Sequence, residues 1–478
     1  MFDHIVTKLA PEMIVGGSVL FGLLVLFAWR WPEICFALGF PAYIFLGQLK
    51  QLLPVSNSAG AALFLIAAVI GTVMQGRKFH FGHCEKLIIG LALLMALSLS
   101  YSSNPTYGRD KTILFCFMVV PLIIFLPNII ANIKSLQVAV FIIVLTLVIY
   151  VFASVLLRLQ MSSIEGRISA LFGVIQAGQF LGLGVIISWL YINLRRRGDP
   201  RRIFFFYLSL LSALLLFMTG TRVAILAIVV TMLFTYWFMH IDWLKRIINQ
   251  PHKTYITIVL GALILLTSSF ALKRTLPEGV YSRYTSIEHF FSNFTPDKIR
   301  YWQDSRSRTL NYFSAVEGFL SNPLRGLGAG GYVDALGKYH RIRILTDGIV
   351  RAYPHNVVLE FAVEQGILGL VLIFCVLYLN LKIILRLRKL YHGKLQDRFL
   401  ICFCVSIYVY GLCVSMTSLD IPRMMILWWG MGLLLAADKI YAKRESNSSH
   451  CQRMQNHKYS YFSGDIGIAK GISCNSNV

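Results

Sequence analysis

Three stretches of the chain hold residues whose type and spacing could do chemistry. The first is Met218-Thr-Gly-Thr-Arg222-Val-Ala, where an arginine stands at the junction of two apolar runs joined by almost no loop. An ionisable residue at membrane depth is costly and is a functional candidate by default. Its guanidinium stays charged and offers a planar fork to a phosphate, although a snorkelling interfacial arginine would read the same way. The second stretch is Tyr353-Pro354-His355-Asn356, running on into Glu360 and Glu364. Pro354 favours a turn and puts His355 and Asn356 at the start of a span. Histidine is suited to take a proton near neutral pH, with a purely structural histidine as the alternative. Glu360 and Glu364 lie four apart, so they share one helix face that must point into the bundle.

The third stretch runs from Arg308 through Glu317 to Asn322-Pro323-Leu-Arg325-Gly326-Leu-Gly328-Ala-Gly330-Gly331. Its apolar spacing predicts an amphipathic helix between Arg308 and Pro323, ended by Asn-Pro and a glycine turn. Gly326, Gly328 and Gly331 formally match G-x-G-x-x-G, but a dinucleotide site needs a buried strand before it and a helix after it. The pattern here offers neither. The outer loops carry no Asp-x-Asp pair, and no Walker A or G-x-S-x-G sequence occurs. His80, His83 and Cys84, and His450, Cys451 and His457 in the tail, read as incidental polar positions. No metal or cofactor is called for.

The elements that must position these residues are membrane helices. Hydrophobic residues make up 56% of the 478 and charged ones 14%, against roughly 25% charged in soluble domains, which excludes a soluble globular protein. The formal net charge of +23 sits in short segments between apolar runs, where basic residues act as topology signals rather than as a nucleic-acid surface. Apolar runs of spanning length occur near 13–29, 34–49, 59–74, 87–100, 112–130, 136–157, 171–193, 203–219, 222–239, 254–272, 356–379, 399–416 and 422–441. The expected fold is an all-α, polytopic transmembrane helical bundle of 12 or 13 spans. The first run reads as a retained span, and the nine cysteines, mostly in apolar runs, do not make a disulfide framework.

Basic residues cluster at 75–86, 195–202, 240–253 and 380–398. Alternating sides along the span list puts all four on one face, expected to be the cytoplasmic one. The opposite face then holds 101–111, 158–170, 219–222, 417–421 and a large loop. The chain divides into helices with short loops over 1–272, a large, partly helical outer loop over 273–355, C-terminal spans over 356–442 and a disordered inner tail over 443–478. The outer loop carries 12 Lys and Arg against 7 Asp and Glu, a surplus open to an anionic partner or to a plain solvated face.

Together these segments resemble the O-antigen ligase and polymerase superfamily of bacterial membrane glycosyltransferases over roughly residues 160–380. Gly166-Arg167-Ile-Ser-Ala170 looks like the family's Arg-x-Ser/Thr-Gly outer loop, with Ala170 where glycine is common. Gly220-Thr221-Arg222 looks like its Gly-Ser/Thr-Arg junction. Arg308 through Asn322-Pro323 to Gly328 looks like its arginine, helix and Asn-Pro-x-x-Gly-x-Gly stretch. Pro354-His355-Asn356 through Glu364 to Gly369 looks like its His-Asn helix after the large periplasmic loop. One departure is Tyr312, where family members often carry Trp four residues after the loop arginine.

The resemblance implies a metal-independent inverting glycosyltransferase of the bacterial inner membrane, its active site facing the periplasm. The donor would be a glycan on undecaprenyl diphosphate. The acceptor would be lipid A–core for a ligase, or a lipid-linked glycan for a polymerase, with the ligase preferred. A protein O-glycosylating transferase often has a further C-terminal periplasmic region, absent from this reading, and a transporter would be expected to show internal symmetry. On this resemblance His355, Arg222 and Arg308 are the catalytic candidates. Arg167, Asn356 and Glu364 are the substrate-binding ones.

Overall fold

The computed structural model describes residues 11–45, 57–160, 174–195, 198–219, 221–240, 308–337, 352–391 and 395–462. Among these residues every regular element is a helix. In chain order they are α1 (Pro11–Arg30), α2 (Pro32–Phe45), α3 (Asn57–Met74), α4 (His83–Ser98), α5 (Pro105–Leu114), α6 (Val120–Ile129), α7 (Ile133–Gln160), α8 (Val174–Leu194) and α9 (Arg201–Thr219). Then follow α10 (Arg222–Met239), α11 (Arg308–Ser321), α12 (Tyr332–Gly337), α13 (Val357–Leu390), α14 (Leu395–Ser415) and α15 (Met425–Phe462). Nine helical stretches of the described residues are long and apolar enough to cross a membrane, and three shorter apolar ones precede them. These twelve correspond to the apolar runs read from the sequence; the thirteenth, 254–272, and most of 273–355 lie outside the described residues.

Two spans differ from the sequence reading in ways that matter for the site. The fifth begins not near 112 but at Pro105, because Asn104 accepts the Tyr107 N–H and Pro105 suits the first helical position. A π turn over Phe115–Val119 joins α5 to α6. Pro121 cannot supply the N–H that the carbonyl four residues back would use, and the helix widens where that ladder is interrupted. The last span, α15, continues to Phe462, through residues expected to be disordered from 443 onward. The stretch 442–462 contains no Gly or Pro, and Arg444 pairs with Asp397 of α14 at 3.0 Å, so the helix propagates past the apolar segment.

The two ends of the bundle have different chemistry. At one end Arg77 pairs with Glu33 at 2.9 Å and donates to the Ile129 carbonyl. At that same end Arg386 pairs with Asp438. Arg388 lies 3.8 Å over the Trp237 ring and donates to its carbonyl, and Arg195 stacks on Tyr191, which meets Phe399 edge-on. The short basic segments that fall among the described residues therefore gather at one end, as their alternation along the chain requires. Between the ends, α14 and α15 pack closely enough that a Cβ on Gly411 would sit 2.6 Å from the Leu427 Cα, and one on Gly430 2.7 Å from the Tyr408 Cα. Such close approach is how membrane helices gain packing without a hydrophobic drive.

The other end is organised by a break in α13. Gly366 has φ 65° and ψ −155°, which interrupts the i→i−4 ladder and releases the carbonyls of Val363 and Glu364 and the N–H of Ile367. All three are taken up by the glycine turn after α11. Leu327 N–H donates to Val363 O (2.9 Å), Gly328 N–H to Glu364 O (2.8 Å), and Ile367 N–H to Pro323 O (2.7 Å). Irregular backbone at membrane depth is tolerated only when other protein groups satisfy it. On its far side the same turn meets the end of α4 and the start of α5. Ala329 N–H donates to Ser98 Oγ, Ser102 Oγ to Ala329 O, and Tyr101 OH to Arg325 O at 2.6 Å. The glycine pattern thus serves a docked turn between two membrane helices.

Gly366→Ala should therefore destabilise the protein by at least about 1–2 kcal/mol, since a Cβ there would meet Leu324 O at 2.5 Å in a left-handed backbone. Gly22→Ala, with open space around it, is expected to be neutral or mildly stabilising. Melting of both variants in detergent against the parent chain checks this, and an undiminished melting temperature for Gly366→Ala would contradict the docking account.

Candidate functional site

Asn356 caps α13, accepting the N–H groups of Val358 (3.0 Å) and Leu359 (3.1 Å), while its amide donates to Met416 O at 3.2 Å. Tyr312, one turn into α11, donates to the same Met416 carbonyl at 2.9 Å. The start of α11, the mouth of α13 and the turn after α14 therefore converge on one carbonyl. His355 precedes the cap with φ 59°, a left-handed conformation that a side-chain-bearing residue keeps only where its surroundings over-determine it. Its ring meets Tyr353 edge-on, centroids 4.5 Å apart. Leu419, in the turn after α14, has the same φ.

Below this mouth, Glu360 and Glu364 point into the bundle as their spacing predicted, both fully buried. Lys111 of α5 reaches between them. Its Nζ donates to Glu364 Oε1 and Oε2 at 2.6 and 2.7 Å and pairs with Glu360, and all three side chains are 0% exposed. The Glu364 backbone carbonyl in turn receives the Gly328 N–H of the docked turn. Beyond its ion pair with Lys111, neither carboxylate oxygen of Glu360 has a hydrogen-bond partner among the described residues.

Next to this cluster lies the turn Asp420–Arg423. Tyr107 OH donates to Asp420 Oδ2 at 3.1 Å, and Arg423 lies 3.6 Å from the same oxygen. Burial works against charge on Arg423, but Asp420 and then the neighbouring phenols outweigh it and hold the guanidinium above its ordinary value. Burial, reinforced by Asp420 and opposed by Arg423, pushes the Tyr353 phenol up to about 12. Tyr353 thus keeps its proton at ordinary pH and can only donate it in a hydrogen bond.

Arg222 reaches this end of the bundle by another route. It is the first residue of α10, and Thr221 before it makes no side-chain cap. The Thr221 hydroxyl is paired instead with that of Thr219 at 2.9 Å. Thr221 packs on α8, where a Cβ on Gly178 would lie 2.5 Å from its Oγ1. The next residue, Gln179, gives its carbonyl to Tyr410 OH of α14 at 2.8 Å. Arg308 is the first residue of α11, one turn before Tyr312. Arg167 lies outside the described residues.

Of the six residues singled out from sequence, Asn356 and Glu364 prove to be occupied by protein partners, the one as a cap and the other by Lys111. Sequence reasoning missed Lys111 and Asp420, which were counted as loop, and Arg423, which fell at the start of the last apolar run. The signal for Lys111 was Asn104-Pro105: a cap followed by proline starts the helix early and carries Lys111 two turns into the span. Two inward-facing carboxylates on α13 also demanded a cation that no other reading supplied.

Lys111→Met should cost about 3–5 kcal/mol, because it strands two buried carboxylates. Asn356→Ala should cost about 1 kcal/mol for the lost cap. Thermal or denaturant melting of the two variants side by side tests the ranking, and a Lys111→Met protein as stable as the parent would rule out the pairing.

No curated protein matches the chain. Residues 207–374 match the family model described as O-antigen ligase, a span holding Arg222, Arg308, His355, Asn356, Glu360 and Glu364 but neither Lys111 nor Asp420. Through that segment, about a third of its length, the chain is similar to the O-antigen ligase family.

Proposed function

We propose that this chain transfers a glycan from undecaprenyl diphosphate to an acceptor hydroxyl on the outer face of the bacterial inner membrane, acting as an O-antigen ligase on lipid A–core. The observation that carries the reading is the place of Arg222 as the first residue of α10, within the segment similar to the O-antigen ligase family. A cation at the positive end of a helix dipole is unfavourable by itself. An anion seated there reverses the sign, receiving both backbone N–H groups and a guanidinium. A diphosphate, whose negative charge grows as the sugar–phosphate bond breaks, is such an anion.

In this reading the acceptor hydroxyl oxygen attacks the anomeric carbon from the face opposite the diphosphate, which inverts that centre. The C–O bond to phosphate breaks, and its electron pair leaves with the diphosphate. Arg222 and Arg308, with Arg167, stabilise that charge in place of a metal. His355 accepts the hydroxyl proton. Asn356 holds the mouth that presents His355, and Glu364, on the same helix piece, is held by Lys111. No ATP or nucleotide sugar enters, because the bond energy arrives with the lipid carrier.

The test uses purified, reconstituted protein with an undecaprenyl diphosphate-linked repeat unit, with and without lipid A–core and without divalent metal, following product by gel and mass. Transfer only when lipid A–core is present is expected. Longer lipid-linked chains in its absence would make the protein a polymerase with the same donor site. Arg222→Ala should lower turnover by about 10²–10³-fold and His355→Ala by about 10²–10⁴-fold. Normal turnover in both, at intact expression, would sink the assignment.

A further inference from the structure

The outer piece of α13, Val357–Gln365, is cut off from the rest of its helix by Gly366. It cannot inherit its rotation from the membrane span below, yet that rotation decides where His355 and Asn356 point. Apolar packing can hold such a piece in place while leaving its angle loosely set. Directional charge pairs fix an angle. Glu360, whose own N–H donates to Asn356 O at 2.9 Å, sits directly beneath the cap, and Glu364 sits one turn deeper at the break. Lys111 of α5 contacts both carboxylates, with all three side chains out of water. A buried ion cluster is a poor source of stability, since apolar side chains of similar size hold a core as well or better; its best-attested use is to specify one arrangement among several.

We propose that Lys111, which lies outside the family segment, is a positioning residue for glycan transfer: through Glu360 and Glu364 it sets the rotation of the outer piece of α13 and thereby the placement of His355 and Asn356. This rests on the reading of that mouth as the transfer site. The cluster contains one cation and two carboxylates, which makes the lock separable from the fold. Glu360→Gln leaves Lys111 and Glu364 as a balanced pair on the docked turn while releasing the turn that bears the cap.

The experiment compares Glu360→Gln and the charge-free Lys111→Met/Glu360→Gln/Glu364→Gln protein with the parent chain, in detergent melting and in the transfer assay with the undecaprenyl diphosphate-linked repeat unit. Arg222→Ala and His355→Ala are run beside them. Both cluster variants are expected to melt with the parent, to keep the donor KM within about twofold and to lose kcat by about 10–10²-fold, the scale of a misplacement near 1 Å. A folded Glu360→Gln with full kcat, next to inactive Arg222→Ala and His355→Ala, overturns this proposal and leaves the transfer reading standing. Cluster variants that melt early count against it as well, because the cluster would then serve the fold alone. Full activity in Arg222→Ala and His355→Ala removes the transfer site and the positioning role with it.

Discussion

A helix inside a membrane cannot be interrupted unless other groups accept the backbone atoms it releases, and the end of this protein opposite the basic segments is arranged around one such interruption. Gly366 frees two carbonyls and an N–H, and Pro323, Leu327 and Gly328 take all three. That requirement explains why an Asn-Pro turn rich in glycine follows α11. Only a chain without side chains at Gly326 and Gly366 comes this close, and any Cβ at either would meet backbone at 2.5 Å. The docked turn in turn demands a floor, which Ser98, Tyr101 and Ser102 provide. A segment from the late loop is thus bound to helices from the first quarter of the chain.

The interruption has a functional side. An unbroken span would carry its N-terminus wherever the tilt and rotation of the whole helix dictated. Breaking it at Gly366 gives the outer piece its own axis, so that the strained His355 and its neighbouring cap can be set against Met416 and Tyr312. Freedom of this kind is useful only if something removes it again. The Asn356 bridge to Met416 does so at the tip and Lys111 does so below, with the Glu364 carboxylate on the lysine and its backbone carbonyl on the docked turn.

Much of this was readable in the sequence, and the parts that were not share a cause. Apolar length identified the spans, the amphipathic spacing after Arg308 identified α11, and the four-residue interval of Glu360 and Glu364 put both on an inward face. Each of those signals is local. Lys111 and Glu364 are 253 positions apart, and no local pattern pairs them. The helix start at Asn104-Pro105 was a local clue to Lys111, hidden because a hydropathy window begins where charges stop. The break at Gly366 was silent for a similar reason. A glycine within an apolar run is tolerated in many helices, and only the arrival of Leu327 and Gly328 makes it a break.

These long-range ties bear on how the family segment should be understood. Residues 207–374 hold Arg222, Arg308, His355 and the two carboxylates, and a reading confined to their described residues would find two acids facing an apolar bundle with no counter-charge. The cation comes from α5, the floor of the glycine turn from the end of α4, and the Met416 carbonyl and Asp420 from the turn after α14. An ion pair split across such distances fails completely if either partner is lost, because the remaining charge has no water to fall back on. The recognisable segment is therefore chemically incomplete by itself: among the described residues, the cation on Glu360 and Glu364 is Lys111.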